Sequence, residues 1–166
     1  MNQLTQKERM LLQDEKAHEE ICIQKYGSYA VQVQDQQLRQ MFDKHRSDEV
    51  QHHQTLTNIL GQGGQSAGGQ AAGGQAQSGQ GSPSGGAAFQ WNAANVGQAG
   101  QAGVNQDVML CKDLVVTETF VSGAYDTAIF QVTDPQIRQT LEHIQKDEHQ
   151  HGADLSGYLK QQGISG

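Results

Sequence analysis

Shifting the sequence by 99 residues lays positions 14–60 onto 113–159 without a gap, and 15 of the 47 aligned positions are identical. An internal repeat requires that one unit, built twice, explain the fold. A unit of this length holds two helices and a turn, so the chain reads as two copies of one helical hairpin. The identities include Glu19 with Glu118, Tyr26 with Tyr125, Asp35 with Asp134, Asp48 with Asp147, Glu49 with Glu148, and His52 with His151. A duplication kept for packing alone would be expected to keep apolar residues; here the matches cluster on acidic residues and histidine.

Between the copies, residues 61–104 are dominated by Gly, Gln, Ala and Ser, a composition that does not repay the entropy of ordering its backbone. The segment reads as a disordered tether, interrupted only by the patch Phe89, Gln90 and Trp91. A flexible chain of this length spans about 35 to 40 Å, and a helix of about 26 residues is about 39 Å long, so the tether reaches from one end of a bundle to the other. The expected organisation is a first hairpin in 1–60, the linker in 61–104 and a second hairpin in 105–166, the two hairpins forming one domain.

Local signals mark the helix ends. Thr5 followed by Glu8 is a capping box opening a helix over about 5–32. Asp35 caps a second helix over about 36–60, closed by Gly61. Asn105 is expected to cap a third helix over about 106–132. Asp134 and Pro135 start a fourth over about 135–160, which frays near Gly163.

Hydrophobic content of 35% with 5% aromatics implies narrow apolar stripes and wet outer faces. The inward stripe of the second helix is Leu38, Phe42, His45, Glu49, His52, Leu56 and Ile59, alternating steps of four and three. The fourth helix repeats it with Ile137, Leu141, Ile144, Glu148, His151, Leu155 and Tyr158. Each stripe is apolar at its ends and polar at its middle. The first and third helices add Leu12, Glu19, Tyr26 and Val33, and Cys111, Glu118, Tyr125 and Val132, at sevenfold spacing. The fold class is therefore all-α, a ferritin-like four-helix bundle with a long crossover.

A carboxylate buried without a partner costs several kcal/mol, so four of them at the middle of a bundle need something to bind. In di-iron and di-manganese bundles one Glu comes from each of two helices and a Glu-x-x-His pair from each of the other two. Glu19, Glu49, His52, Glu118, Glu148 and His151 supply that set. The 30-residue step from Glu19 to Glu49 recurs from Glu118 to Glu148. That step sets each single Glu level with its pair in an antiparallel hairpin. The expected cofactors are two iron or two manganese ions; a polar network without metal is the alternative. Asp48 and Asp147 are placed to accept the far ring N–H of a histidine on the opposing helix. Tyr26 and Tyr125 either hydrogen-bond a ligand carboxylate or fill core. His45 lies on the stripe where Ile144 holds the matching place. His18, His53, His143 and His149 fall off the stripes and read as solvated. Cys22 and Cys111 have no paired spacing, so they read as buried small hydrophobes.

A net charge of −7 without a basic face argues against nucleic acid and anionic membrane surfaces as partners. No apolar run is long enough to span a bilayer, and the polar stretch 1–9 is unlike a secretory leader. Synthesis in the cytoplasm is expected.

The stretches LTQKERMLLQDEKAHEEICIQKY and DLVVTETFVSGAYDTAIFQVTDPQIRQTLEHIQKDEHQHGADLSGYL resemble spore coat proteins of the Coat F family, particularly the clostridial kind with two helical hairpins and a Gln/Gly-rich insert. The resemblance covers both hairpins and is strongest around DPQIRQ. It implies a ferritin-like bundle made in a sporulating cell and deposited in the spore coat, with other coat proteins as partners and a homo-oligomer left open. The ligand set is similar to the symmetric sites of bacterioferritin, rubrerythrin and manganese catalase. The chain lacks the cysteine pairs of a rubredoxin-like electron path, and its crossover departs from a closed ferritin cage. Two functions follow as expectations. One is a coat component holding a di-metal carboxylate centre. The other is an oxidoreductase, by manganese-catalase-like peroxide dismutation or by ferrous or peroxide oxidation. Metal storage would need a mineral cavity or many sites, which a chain of this length does not indicate.

Overall fold

A computed structural model of the chain describes residues 4–62 and 99–164, with side chains described for 4–61 and 106–164. Four helices make up the described residues: α1 (Gln6–Ala30), α2 (Gln36–Gln62), α3 (Ala99–Gln131) and α4 (Pro135–Gln161). They form an all-α four-helix bundle of two hairpins, α1 with α2 and α3 with α4. The expected tether and its Phe89–Trp91 patch lie outside the described residues, apart from 61–62 and 99–104, which are helical.

The helix starts follow from side chains that satisfy orphan amides. Thr5 accepts from the Glu8 N–H while Glu8 accepts from the Thr5 N–H, closing the capping box of α1. Asp35 Oδ1 accepts from the N–H groups of Gln37 and Leu38, and Asp134 Oδ1 does the same for Gln136 and Ile137. Two expected ends are corrected. Helix α3 begins at Ala99, ahead of Asn105, because Gly and Asn in 99–105 disfavour a helix by about 1 kcal/mol or less each without stopping it, and no Pro intervenes. Helix α2 runs through Gly61 to Gln62. At the other terminus Gly163 adopts φ 77°, a left-handed conformation that costs glycine nothing, and the Ile164 N–H then reaches back to the Leu159 carbonyl at 3.0 Å.

Packing follows the repeat. Helix α1 lies against α2 and α3, and α4 against α3 and α2, leaving α1/α4 and α2/α3 on the diagonals. Contacts Glu8 with Thr133, Tyr26 with Glu118 and Gln34 with Asp107 show that α1 and α3 run antiparallel. His45 with Asp154 and His151 with Asp48 show the same for α2 and α4. The end of α2 sits beside the start of α1, where the Arg9 guanidinium donates to the Leu60 carbonyl at 3.2 Å. The start of α3 sits beside the α1–α2 turn. The residues joining α2 to α3 therefore connect opposite ends of the bundle, the long crossover that the tether length permits.

The stripes expected to face inward do so. Leu12, Tyr26, Leu38, Phe42, Leu56, Cys111, Tyr125, Leu141 and Leu155 are fully buried, and each Leu or Phe among them contributes roughly 1.5–3 kcal/mol. Both cysteines are free and buried.

The repeat extends further than sequence identity shows. Glu8 and Asp107 are 99 residues apart, and so are Gln34 and Thr133. Glu8 Oε1 accepts from the Thr133 N–H at 2.7 Å in the α3–α4 turn, and Asp107 Oδ1 accepts from the Gln34 N–H at 3.0 Å in the α1–α2 turn. Each hairpin thus holds the turn of the other. Burial opposes ionisation of Glu8, and the hydrogen bonds from Thr133 and Thr5 outweigh it, holding its carboxyl down at about 2. Likewise Arg39 and Arg138, one repeat apart, donate to the Val33 and Val132 carbonyls at 2.8 and 2.6 Å.

Among the described residues no helix is long and apolar enough to cross a membrane.

Candidate metal centre

Halfway along the bundle the four helices bring six polar side chains to one place. Glu19 comes from α1, Glu49 and His52 from α2, Glu118 from α3, and Glu148 and His151 from α4. All six are buried, the most accessible being His52 at 6%. Helical spacing explains their convergence, since Glu and His three residues apart share a face.

The contacts obey an approximate two-fold axis. Glu19, Glu49, His52 and Glu148 offer ligand atoms that all lie within 4.8 Å of one another, and so do Glu49, Glu118, Glu148 and His151. Glu49 and Glu148 belong to both groups, as two carboxylates shared between two positions would. His52 Nδ1 lies 3.0 Å from Glu148 Oε1, 3.5 Å from Glu19 Oε2 and 3.6 Å from Glu49 Oε2. Its counterpart, His151 Nδ1, lies 2.9 Å from Glu49 Oε1 and 4.0 Å from Glu118 Oε2.

These approaches are close, yet they are not hydrogen bonds. Eight buried side-chain atoms have no hydrogen-bond partner among the described residues: Glu19 Oε2, both oxygens of Glu49, Glu118 Oε2, both oxygens of Glu148, and Nδ1 of His52 and of His151. All eight belong to the six residues. Orphaned buried atoms of this kind are rare, because each forfeits its hydration. Atoms that share a cation at about 2.1 Å stand about 3 Å apart at right angles while pointing at the ion and not at one another. Oxygen donors joined by imidazole nitrogen suit iron and manganese. The six residues therefore fit a pair of such ions.

The surrounding groups complete this arrangement. Tyr26 donates to Glu118 Oε1 and Tyr125 donates to Glu19 Oε1, each crossing between α1 and α3. The sequence left the two tyrosines between hydrogen-bonding and core-filling; they do both. Asp48 Oδ2 lies 3.3 Å from His151 Nε2, and Asp147 Oδ2 lies 3.5 Å from His52 Nε2. The first is within hydrogen-bonding distance, and a carboxylate at Nε2 would hold a proton there and turn the Nδ1 lone pair toward a bound ion.

Burial governs the protons of the cluster. It pushes Glu49 up to about 10, Glu118 up to about 9 and Glu148 up to about 7. Burial alone would also raise Glu19, but the close approach of His52 and Glu49 and the Tyr125 hydroxyl hold it below its ordinary value. Burial would lower His52, and the carboxylates of Glu148, Glu19 and Glu49 override it, lifting His52 to about 12. His151, at the equivalent place, is lowered by burial.

One cleft borders the histidine side of the centre. A cleft of about 440 Å³ opens between α2 and α4, with Lys44, Asp48, His143 and Asp147 on its walls and the rings of His52 and His151 among its lining.

Some polar residues of the region were not foreseen. Glu15, one turn before Glu19, is buried, and burial raises its carboxyl while His18 Nδ1 stands 3.1 Å from its Oε2. His18 is therefore half-buried and not solvated as expected, its ring edge-on to Phe120 at 5.3 Å. His53 is half-buried as well, while His143 and His149 are exposed. The signal for Glu15 was its position on the inward side of α1. His45, left open by the sequence, is fully buried beside the centre.

Residues 106–165 match the family model of the Coat F domain, a stretch that takes in most of α3 and all of α4. No curated protein and no solved structure matches the chain.

Proposed function

We propose that this chain is a spore coat component whose ferritin-like bundle holds a di-iron or di-manganese carboxylate centre. The Coat F domain match over the second hairpin supports the coat assignment. One observation carries the metal assignment: the eight orphaned buried atoms all belong to the six residues of the centre. A structural bundle with no ligand to hold would gain stability by replacing them with apolar side chains.

Glu19 with His52, and Glu118 with His151, would each serve one ion, and Glu49 and Glu148 would serve both. When bound, such a pair of ions supplies one- or two-electron chemistry toward peroxide or oxygen. The protein's own contribution is to fix the ligands. Asp48 and Asp147 set the histidine tautomers, and the two tyrosines hold the outer glutamates. Glu49 and Glu148 have a second oxygen each with which to follow a change of charge. The oxidoreductase reading is favoured by the cleft between α2 and α4, which gives a small oxidant a route to the histidine side of the centre.

Elemental analysis of protein reconstituted separately with iron and with manganese is expected to give about two ions per chain, and near zero for a variant carrying Glu49→Ala and Glu148→Ala. Parent protein without bound metal would remove the metal assignment and leave a scaffold with a polar core. The coat assignment is checked independently. Epitope-tagged protein is expected in the coat extract of purified spores and not in their core fraction, and the reverse distribution would exclude it.

A further inference from the structure

Among the buried side chains that differ between the two halves of the centre, one stacks on a histidine of the six. Position 45 is histidine, and position 144, its partner in the repeat, is isoleucine. His45 is fully buried, and its ring stacks on that of His151 with centroids 4.2 Å apart and an interplanar angle of 26°. Its Nδ1 stands 3.2 Å from the Tyr26 hydroxyl, and its Nε2 stands 3.2 Å from Asp154 Oδ2. Tyr26 gives its only proton to Glu118, which leaves its oxygen as the acceptor for His45. One imidazole thus steadies two of the six residues, Glu118 through Tyr26 and His151 through the stacked ring. Asp154 Oδ2, partly exposed, lies at the other end of that ring.

The other half has no such brace. Tyr125 donates to Glu19 as Tyr26 does to Glu118. The matching side chain, however, is Ile144, with no polar atom to offer, and the matching residue for Asp154 is Thr55.

We infer that His45 is a positioning residue that makes the two metal positions unequal, so that the one built on Glu118 and His151 takes its ion first. The inference rests on the di-metal reading. Ligands already held in place lose less freedom when an ion arrives, and holding two side chains in advance corresponds to roughly a tenfold gain in affinity.

Cobalt(II), followed by its visible absorption, separates the two positions when one histidine is removed at a time. His52→Ala leaves the position on His151, and His151→Ala leaves the position on His52. The first variant is expected to bind its remaining ion about tenfold more tightly than the second. Adding His45→Ile should abolish that advantage in the His52→Ala background and change nothing in the His151→Ala background. Isoleucine is accommodated at the equivalent place, where Ile144 is 2% exposed. Should the His45→Ile protein not fold, His45→Phe keeps a ring against His151 but removes the hydrogen bond to Tyr26, and should lower affinity about threefold in the His52→Ala background alone. Equal affinities in the two single variants, or equal effects of the added substitution in both backgrounds, would overturn the inference while leaving the di-metal centre standing. Parent protein that binds no cobalt, iron or manganese would remove the centre itself, and the inference with it.

Discussion

Loading metal-free protein with two manganese(II) or ferrous ions is expected to raise its Tm by roughly 15 °C or more. An ion that binds only the folded state stabilises it by about 4 kcal/mol when its free concentration is a thousand times Kd. Two ions double that, and a domain of this size gains roughly 3–5 °C per kcal/mol. The physical source is the cluster itself. Without cations, four carboxylates and two imidazoles share a volume in which their ligand atoms fall within 4.8 Å of one another in each group. Differential scanning calorimetry with and without chelator measures the effect. A melting point that ignores both metal and chelator would mean that the folded state gains nothing from the ions.

The second large effect belongs to the metal-free protein, which is expected to lose stability as pH rises from about 5 to about 9, its Tm falling by on the order of 10 °C. Glu49, Glu118 and Glu148 have folded values of about 10, 9 and 7 against 4.5 for an unperturbed glutamate. Below 4.5 both folded and unfolded chains carry these protons. Above it the unfolded chain releases them while the fold retains them, so unfolding becomes progressively easier up to the folded values. Glu8 and Glu19 act in the opposite sense. Their depressed values contribute stability above about 4.5 that is lost in acid, for Glu8 as pH falls toward about 2. Greatest stability therefore lies near pH 5. Combining Glu49→Gln with Glu148→Gln should flatten the slope and raise the metal-free Tm at pH 8, since an amide has no proton to lose and can donate to the orphaned oxygens of Glu19 and Glu118. The same variant should lose its response to metal. Thermal denaturation followed by circular dichroism across this pH range decides the matter: a Tm that climbs with pH would mean that burial of the carboxyls does not govern the cluster.

The bundle and the six converging residues were legible for a physical reason. Helical periodicity is local, so Glu49 with His52 and Glu148 with His151 declare a shared face within one turn. The repeat then supplies the long-range information that a single hairpin lacks, because residues matched across it must take equivalent depths. Asp48 and Asp147 were legible as offsets along the same helices. What escaped depended on contacts between distant residues or on chemically similar substitutions. His45 looked ambiguous because the ring it stacks on, His151, lies 106 residues away. Glu8 and Asp107 perform one task with two different residues, so identity across the repeat did not reveal them. The early start of α3 escaped because Gly and Asn only weaken a helix, whereas Pro forbids one.

The two-fold arrangement of the hairpins also bears on how such a molecule could have arisen. A hairpin that assembled with a second copy of itself would place the same residue on both sides of the axis, and any change would be made twice. Joining two hairpins in one polypeptide removes that obligation. A histidine can then stand at 45 while isoleucine stands at 144, and an acid can enter at 15 while leucine keeps 114. Fusion of a duplicated gene thus opens designs closed to a symmetric dimer, in which one half of a shared centre is altered while the other is left as it was.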